Sequence, residues 1–332
     1  MKKKLLSLLL TVCTALSIFS GCSDKADKDN NNNNNSGPTT INIGCMKGPT
    51  GIGMIKLLSD SDDNKTTNKY NYTIAGTADE IATMLLKGDL DIAAVPCNLA
   101  SVLYNKSEGE ILTLAINTLG VLYIVEAGEN VNTVEDLKGK TIYSTGQGTT
   151  PEYTLRFLLS SAGLDPDKDV DIQFKSEAPE ALAALQQDES AVAMLPQPYT
   201  TVALNGNENM RIALDVTAEW EKYCDDTVVT GVLVGRKEFI NKNKDALASF
   251  LKEYEASTAY ANSNIDDTAT LLEKYDITKA PIAKKAIPYC NVTFITGEEM
   301  KTKAMSYLTV LFNENPASIG GKLQEGMFYL ED

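Results

Sequence analysis

Two glycine-bearing loops carry the residue types that can hold a small ligand. The segment Gly146-Gln147-Gly148-Thr149-Thr150-Pro151-Glu152 follows a short strand-forming stretch, Lys140 to Ser144. It runs into Leu155, Leu158, Leu159 and Ala162, which recur at helical spacing until Gly163 stops the run. Thr150 is placed to cap that helix, with Pro151 at its first position, where a missing N–H costs nothing. Backbone N–H groups at such a helix start can hold an anionic or strongly polar molecule. The second loop, Cys45-Met46-Lys47-Gly48-Pro49-Thr50-Gly51-Ile52-Gly53, lies between a strand (Ile41 to Cys45) and a helix (Met54 to Leu58).

Neither loop is a nucleotide signature. Gly48 to Gly53 has the spacing of a phosphate loop, but Met54 stands where that motif needs Lys. In the other loop, Pro151 occupies the place of the third Gly of a dinucleotide fingerprint. The chain has no histidine, which excludes His-based acid–base chemistry, Ser-His and Cys-His nucleophiles and His-ligated metals together.

The elements that must position these loops repeat at a fixed offset of one hundred residues. Gly48 matches Gly148, Thr50 matches Thr150 and Lys56 matches Arg156. Ala78 and Glu80 match Ala178 and Glu180, and Ile92 to Pro96 matches Val192 to Pro196. A run without gaps implies two similar β-α-β-α-β units, hence two lobes with facing loops. In the first, Asn71 to Ala75 reads as a strand and Thr77 to Glu80 as a capping box before Ile81, Ala82, Leu85 and Leu86. Asp91 to Val95 reads as a buried parallel strand, and Asn98 as the cap of a helix through Tyr104. Gly120 to Glu126 and Thr227 to Val234 read as two crossings between lobes, with Gly120, Gly231 and Gly235 suited to a hinge. Plain sheet strands are the alternative. The C-terminal helices read as scaffold, and Trp220 and Tyr223 as core aromatics or as a stacking surface.

The chain has 332 residues and a formal charge of −15. That charge argues against a nucleic-acid partner and against adhesion to anionic lipid. Lys2-Lys3-Lys4, the apolar run Leu5 to Phe19 and Ser20-Gly21 form a secretion signal over residues 1–21. Cys22 directly after Ser-Gly resembles a bacterial lipoprotein box, although Phe19 replaces the usual Leu; it implies cleavage before Cys22 and lipid on its sulfur. Residues 22–38, with Asn30 to Asn35, read as a flexible tether. Cys45, Cys97, Cys224 and Cys290 include no C-x-x-C pair, so no zinc cluster is expected. Cys45 and Cys97 end strands of one lobe, as a disulfide, as cleft-edge thiols or, preferably, as buried free thiols.

The chain resembles the solute-binding lipoproteins of ABC importers, in the branch that takes nitrate, sulfonates, taurine and thiamine-precursor pyrimidines. The residues carrying the resemblance are Leu85 to Ala93, Asp136 to Lys140, Gly146 to Glu152, Ala162 to Pro166 and Leu195 to Pro198. It implies an α/β, two-lobed, periplasmic-binding-protein-like (type II) fold with two hinge-crossing strands. Lobe 1 is then 39–120 plus 232–332, and lobe 2 is 121–231. The implied cleft holds Lys47, Gly48, Thr50, Gly51, Thr77, Cys97, Asn98, Asn117, Gln147, Gly148, Thr149, Thr150 and Gln197, at strand ends and helix starts. Capping alone accounts equally well for Thr50, Thr77 and Thr150. Lys47, the fixed positive charge of these loops, favours an anion unless it is merely solvated. The resemblance further implies no cofactor, no catalysis, a monomer at the extracytoplasmic membrane face, and a permease with its ATPase as partners. An enzyme on the same fold is the competing reading, disfavoured by the absence of His and by the lipoprotein signal.

Overall fold

The computed structural model describes residues 37–330. The readings placed on the leader, on Cys22 and on nearly all of the tether lie outside the described residues. The first half runs β1 (Thr40–Met46), α1 (Pro49–Ile52), α2 (Ile55–Asp62), β2 (Lys69–Ala75), α3 (Ala78–Lys87), β3 (Ile92–Pro96), α4 (Cys97–Lys106) and β4 (Ile111–Leu119). Next come β5 (Leu122–Ala127), β6 (Thr141–Ser144), α5 (Thr150–Ser161), β7 (Asp171–Phe174), α6 (Ala178–Gln187), β8 (Val192–Pro196), α7 (Tyr199–Gly206), β9 (Met210–Asp215) and α8 (Val216–Trp220). β10 (Val229–Arg236) is followed by α9 (Lys237–Lys242), α10 (Lys244–Ser263), α11 (Ile265–Lys274), α12 (Ala280–Ala286), β11 (Val292–Ile295) and α13 (Gly297–Glu314).

Local chemistry explains the better-defined elements. In α3 the Thr77 hydroxyl accepts from the Glu80 N–H at 3.4 Å, Ile81 and Leu85 are buried, and Gly88 ends the helix at φ 84°. Ile92 to Val95 of β3 are all buried, as expected for a strand covered on both faces. Other local expectations need correction. Thr149, not Thr150, takes the cap position of α5, and its hydroxyl donates back to Gly146 O at 2.7 Å. Asn98 is the second residue of α4, buried, with Pro96 at the cap position. The helix after the first loop is broken at Gly53, where a Cβ would lie 2.9 Å from both Tyr254 Oη and Thr258 Oγ1.

Two sheets result. The first has the order β11-β4-β10-β3-β1-β2, and the second β7-β6-β8-β5-β9. β10 lies antiparallel between β3 and β4, and β5 lies antiparallel between β8 and β9. β11 is antiparallel to β4, and the remaining pairs β1–β2, β1–β3, β6–β7 and β6–β8 are parallel. The chain passes from β4 to β5 through Gly120 and Val121, and returns between α8 and β10. Gly231 pairs opposite Pro96 and Thr118, so residues 229–231 belong to the first sheet rather than to the second lobe. At Gly120 a Cβ would fall 1.7 Å from Thr217 Oγ1. Close approach demands that glycine, whatever its part in a hinge.

The largest apolar cluster spans both sheets together with α4, α5, α8 and α13. A second cluster joins the other face of the first sheet to α2, α10, α11 and α12, and a smaller one lies under α6 and α7. Trp220 is buried between Phe157 (ring centroids 4.4 Å apart) and Tyr307 (5.3 Å), a core position, whereas Tyr223 is exposed.

Candidate functional site

The carboxyl ends of the parallel strands β1, β3, β6 and β8 bring one loop from each repeat toward the other lobe. Thr50 and Thr150, equivalent in the repeat, are both buried. Thr150 Oγ1 donates to Asn98 Oδ1 at 3.1 Å, and Asn98 Nδ2 donates to Ser318 O at 3.0 Å. One hydrogen-bonded line therefore runs from lobe 2 through α4 to the turn after α13. In lobe 1, Asn117 Nδ2 donates to Thr50 O (3.0 Å) and to Tyr254 Oη (3.1 Å), while its Oδ1 accepts from Thr118 Oγ1 (3.1 Å). β10 passes this group because residue 231 is glycine; a Cβ there would lie 2.6 Å from Asn117 Oδ1 and from Thr50 Cγ2. Gln197 is buried, with Oε1 accepting from the Thr201 N–H (3.3 Å) and Oγ1 (2.8 Å).

Charge stays at the rim. Lys47 pairs with Asp276 at 2.6 Å, and both side chains are exposed. Burial raises the Tyr199 phenol above its usual range, Glu177 adds to that, and Lys47 acts against it. Lys47 therefore lies within electrostatic reach of lobe 2. In the glycine loop, Gly148 N–H donates to Glu152 Oε2 at 2.7 Å, and Glu152 Oε1 accepts from Arg156 Nε at 2.8 Å. Gln147 and Gly148 are exposed. All four cysteines among the described residues are free, and burial pushes the Cys97 thiol up to about 12.

The residues marked in the sequence thus separate into two sets. Thr50, Gly51, Cys97, Asn98, Asn117, Thr150 and Gln197 are buried at the facing strand ends. Lys47, Thr77, Gln147 and Gly148 lie on the surface, with Gly48 and Thr149 half-buried between. Sequence reasoning missed the bonds made by Ser318 and Tyr254 and the hydroxyl pair of Thr154, in α5, with Tyr307 (3.0 Å), because Ser318, Tyr254 and Tyr307 reach the facing strand ends from C-terminal segments far away in sequence. It also missed what Glu152 does, although an acid in the first turn of α5 was visible.

The Thr150–Asn98 bond brings the loops after β6 and β3 into contact. Beneath Gly48 and Ile52 a void of about 10 Å³, room for no more than a water, lies mostly among residues of α11, α12 and the turn after it, with Pro198 reaching it from lobe 2. A cavity of about 450 Å³ opens elsewhere, beneath α10 and the C-terminal tail, lined by Leu251, Phe294, Glu298 and Tyr329 among others. It shares no residue with the facing loops, and the converging buried amides mark the latter as the candidate site. Among the described residues no cluster of His, Cys, Asp and Glu has the arrangement of a metal site. No helix among them is long and apolar enough to cross a membrane.

Residues 63–285 match a family model described as "ABC transporter, phosphonate, periplasmic substrate-binding protein". The structure is similar to an ABC transporter protein from Parabacteroides distasonis, at 23% identity and a TM-score of 0.75, over 89% of this chain and 100% of that one. It is also similar to the periplasmic aliphatic sulphonate binding protein SsuA from Escherichia coli (18% identity, TM-score 0.72, 89% and 93% covered). A third similar structure is the periplasmic nitrate-binding protein NrtA from Synechocystis PCC 6803 (14% identity, TM-score 0.61, 85% and 83% covered). No curated protein matches the chain.

Proposed function

Because the chain belongs to the phosphonate-binding family of periplasmic ABC-transporter substrate-binding proteins, we propose that it captures a small polar solute between its facing loops and delivers it to a permease. The solute class at this level includes sulfonate- or nitrate-like anions and pyrimidine-like heterocycles. The observation that carries the reading is the Thr150–Asn98 hydrogen bond, a polar contact between lobes at the carboxyl ends of their parallel strands. Lys47, Gly48, Thr50, Gly51, Thr77, Cys97, Asn98, Asn117, Gln147, Gly148, Thr149, Thr150 and Gln197 are proposed to line the site when the lobes part. Binding then shifts an open–closed equilibrium through contacts made only in the closed state. The chain performs no catalysis and acts as a monomer held at the extracytoplasmic membrane face by lipid on Cys22. Release of a Cys22→Ser chain from the membrane fraction is the expected check of that anchor.

Ligand screening by thermal melting tests the site. A solute at about 100 times its Kd adds about 2.7 kcal/mol of stability. The rise is expected to saturate in the wild type and to shrink in Thr150→Val, which keeps the volume but removes the donor to Asn98. A ligand that stabilises both chains equally would place binding elsewhere and sink the reading.

A further inference from the structure

The lobes touch on both faces of the first sheet, and the two contacts differ in kind. Ala93 and Val95 of β3 belong to the cluster that holds α4 and α13, whereas Ile92 and Ala94 belong to the one that holds α10, α11 and α12. Successive strand residues face opposite ways, so α13 and α12 lie on opposite faces of the sheet. On the α13 face the contact is a core. The rings of Trp220, from lobe 2, and Tyr307, from α13, are each 1% exposed and meet at 5.3 Å, with the Thr154–Tyr307 hydroxyl pair buried beside them. Parting the lobes here would wet large apolar rings, which is costly.

On the α12 face the contact is thin and polar. Asn291, just before β11, donates from Nδ2 to Gly120 O in the first crossing at 2.5 Å. Tyr289 O accepts from Tyr123 Oη of β5 at 3.2 Å. Lys285 of α12 donates to Asn205 Oδ1 of α7 at 2.5 Å, and both residues are exposed. These three bonds lie at increasing distance from the crossing. α7 starts beside it, since Gln197 N–H donates to Val121 O at 3.0 Å. Asn205 stands seven residues beyond Pro198, about 10 Å along the helix. A rotation about the crossing therefore moves the Lys285–Asn205 pair most, and water replaces an exposed bond at little cost. Apolar contact on this face is slight, with Pro198 reaching the small void beside Ile287 and Cys290 from lobe 2.

We infer that opening is one-sided: the lobes stay joined through α13, Trp220 and the two crossings and part along α7 and α12, with Lys285–Asn205 as the outermost fastening. The mouth made there is edged by Lys47, whose partner Asp276 precedes α12, and by Tyr199, which opens α7. One-sided opening does not depend on which solute binds, and scattering needs no solute, so it can fail while the site between the loops stands. Asn205→Lys sets two ammonium groups against each other at this edge, and Asn205→Asp makes an ion pair. Each shifts the open-to-closed ratio by up to about fivefold, in opposite directions. Small-angle X-ray scattering of the purified full chain is expected to give a larger radius of gyration for Asn205→Lys than for Asn205→Asp, a gap that narrows at about 0.5 M salt. Adding Lys285→Glu to Asn205→Lys restores attraction and should return the radius to the wild-type value. Tyr307→Phe should instead lower the melting midpoint by about 2 °C and leave the radius unchanged. Equal radii for Asn205→Lys and Asn205→Asp overturn the inference, as does an expansion that Lys285→Glu fails to reverse. So does a Tyr307→Phe chain that expands, which would put the moving edge at α13.

Discussion

Cys97 opens α4 among the residues marked for ligand contact, yet its thiol is buried, as are those of Cys45 and Cys290. Burial disfavours the thiolate and moves all three from 9.0 to about 12. The folded state then keeps protons that the unfolded chain releases above pH about 9, so the unfolded state binds fewer protons and stability falls as pH rises from there toward about 12. Below about 9 this contribution is fully present. Urea midpoints at pH about 8 and about 10 are expected to show the loss, and a flat profile would contradict it. Native Cys97 should also resist thiol reagents that label half-buried Cys224. At this scale the sequence was partly legible. The resemblance named Asn98 and Asn117, and the glycine loop named Thr150, but neither pointed to the groups these residues bond. Glu152 was named only as the end of the glycine loop, because the return of its carboxylate to Gly148 depends on loop shape rather than on spacing.

Elements were more legible than contacts. The hundred-residue offset placed β3 and β8, α3 and α6, and both loops, because amphipathic spacing and glycine stops act locally. α12 and β11 went unread, since each is short and owes its conformation to packing against distant elements. Gly120 shows how a local reading can name the right residue with an incomplete reason: glycine reads as freedom, and the structure reveals a neighbour. Gly120→Ala would drive a Cβ to 1.7 Å from Thr217 Oγ1 and 2.9 Å from Thr217 Cβ. It is expected to destabilise by about 1–3 kcal/mol, with partial recovery when Thr217→Ala is added. Calorimetric melting of the single and double variants decides this; a single variant that melts with the wild type would restore the purely flexible role.

Across the whole molecule, the two lobes share a core as well as two chain crossings. α13 lies against both, with Tyr307 bonded to Thr154 of α5 and stacked near Trp220, and the largest cluster is continuous through both sheets. Lys285 of α12 adds a bond to Asn205 of α7 at 2.5 Å. Both sheets lie in one compact unit, Pro38–Asp332. Unfolding is therefore expected as one transition. Trp220 is the only tryptophan, so its fluorescence and far-UV circular dichroism should trace superimposable urea curves. Separate midpoints would mean lobes that unfold independently. The sheet orders carry a further consequence. β5 follows the first repeat in the chain but sits inside the second sheet, and β10 follows the second repeat but sits inside the first. Each repeat thus lends the other an interior strand. On the ribosome, a nascent chain complete through β4 has every parallel strand of its first sheet and a vacancy between β3 and β4. That vacancy stays open until Arg236 has been made, so the half synthesised first is the half that must wait.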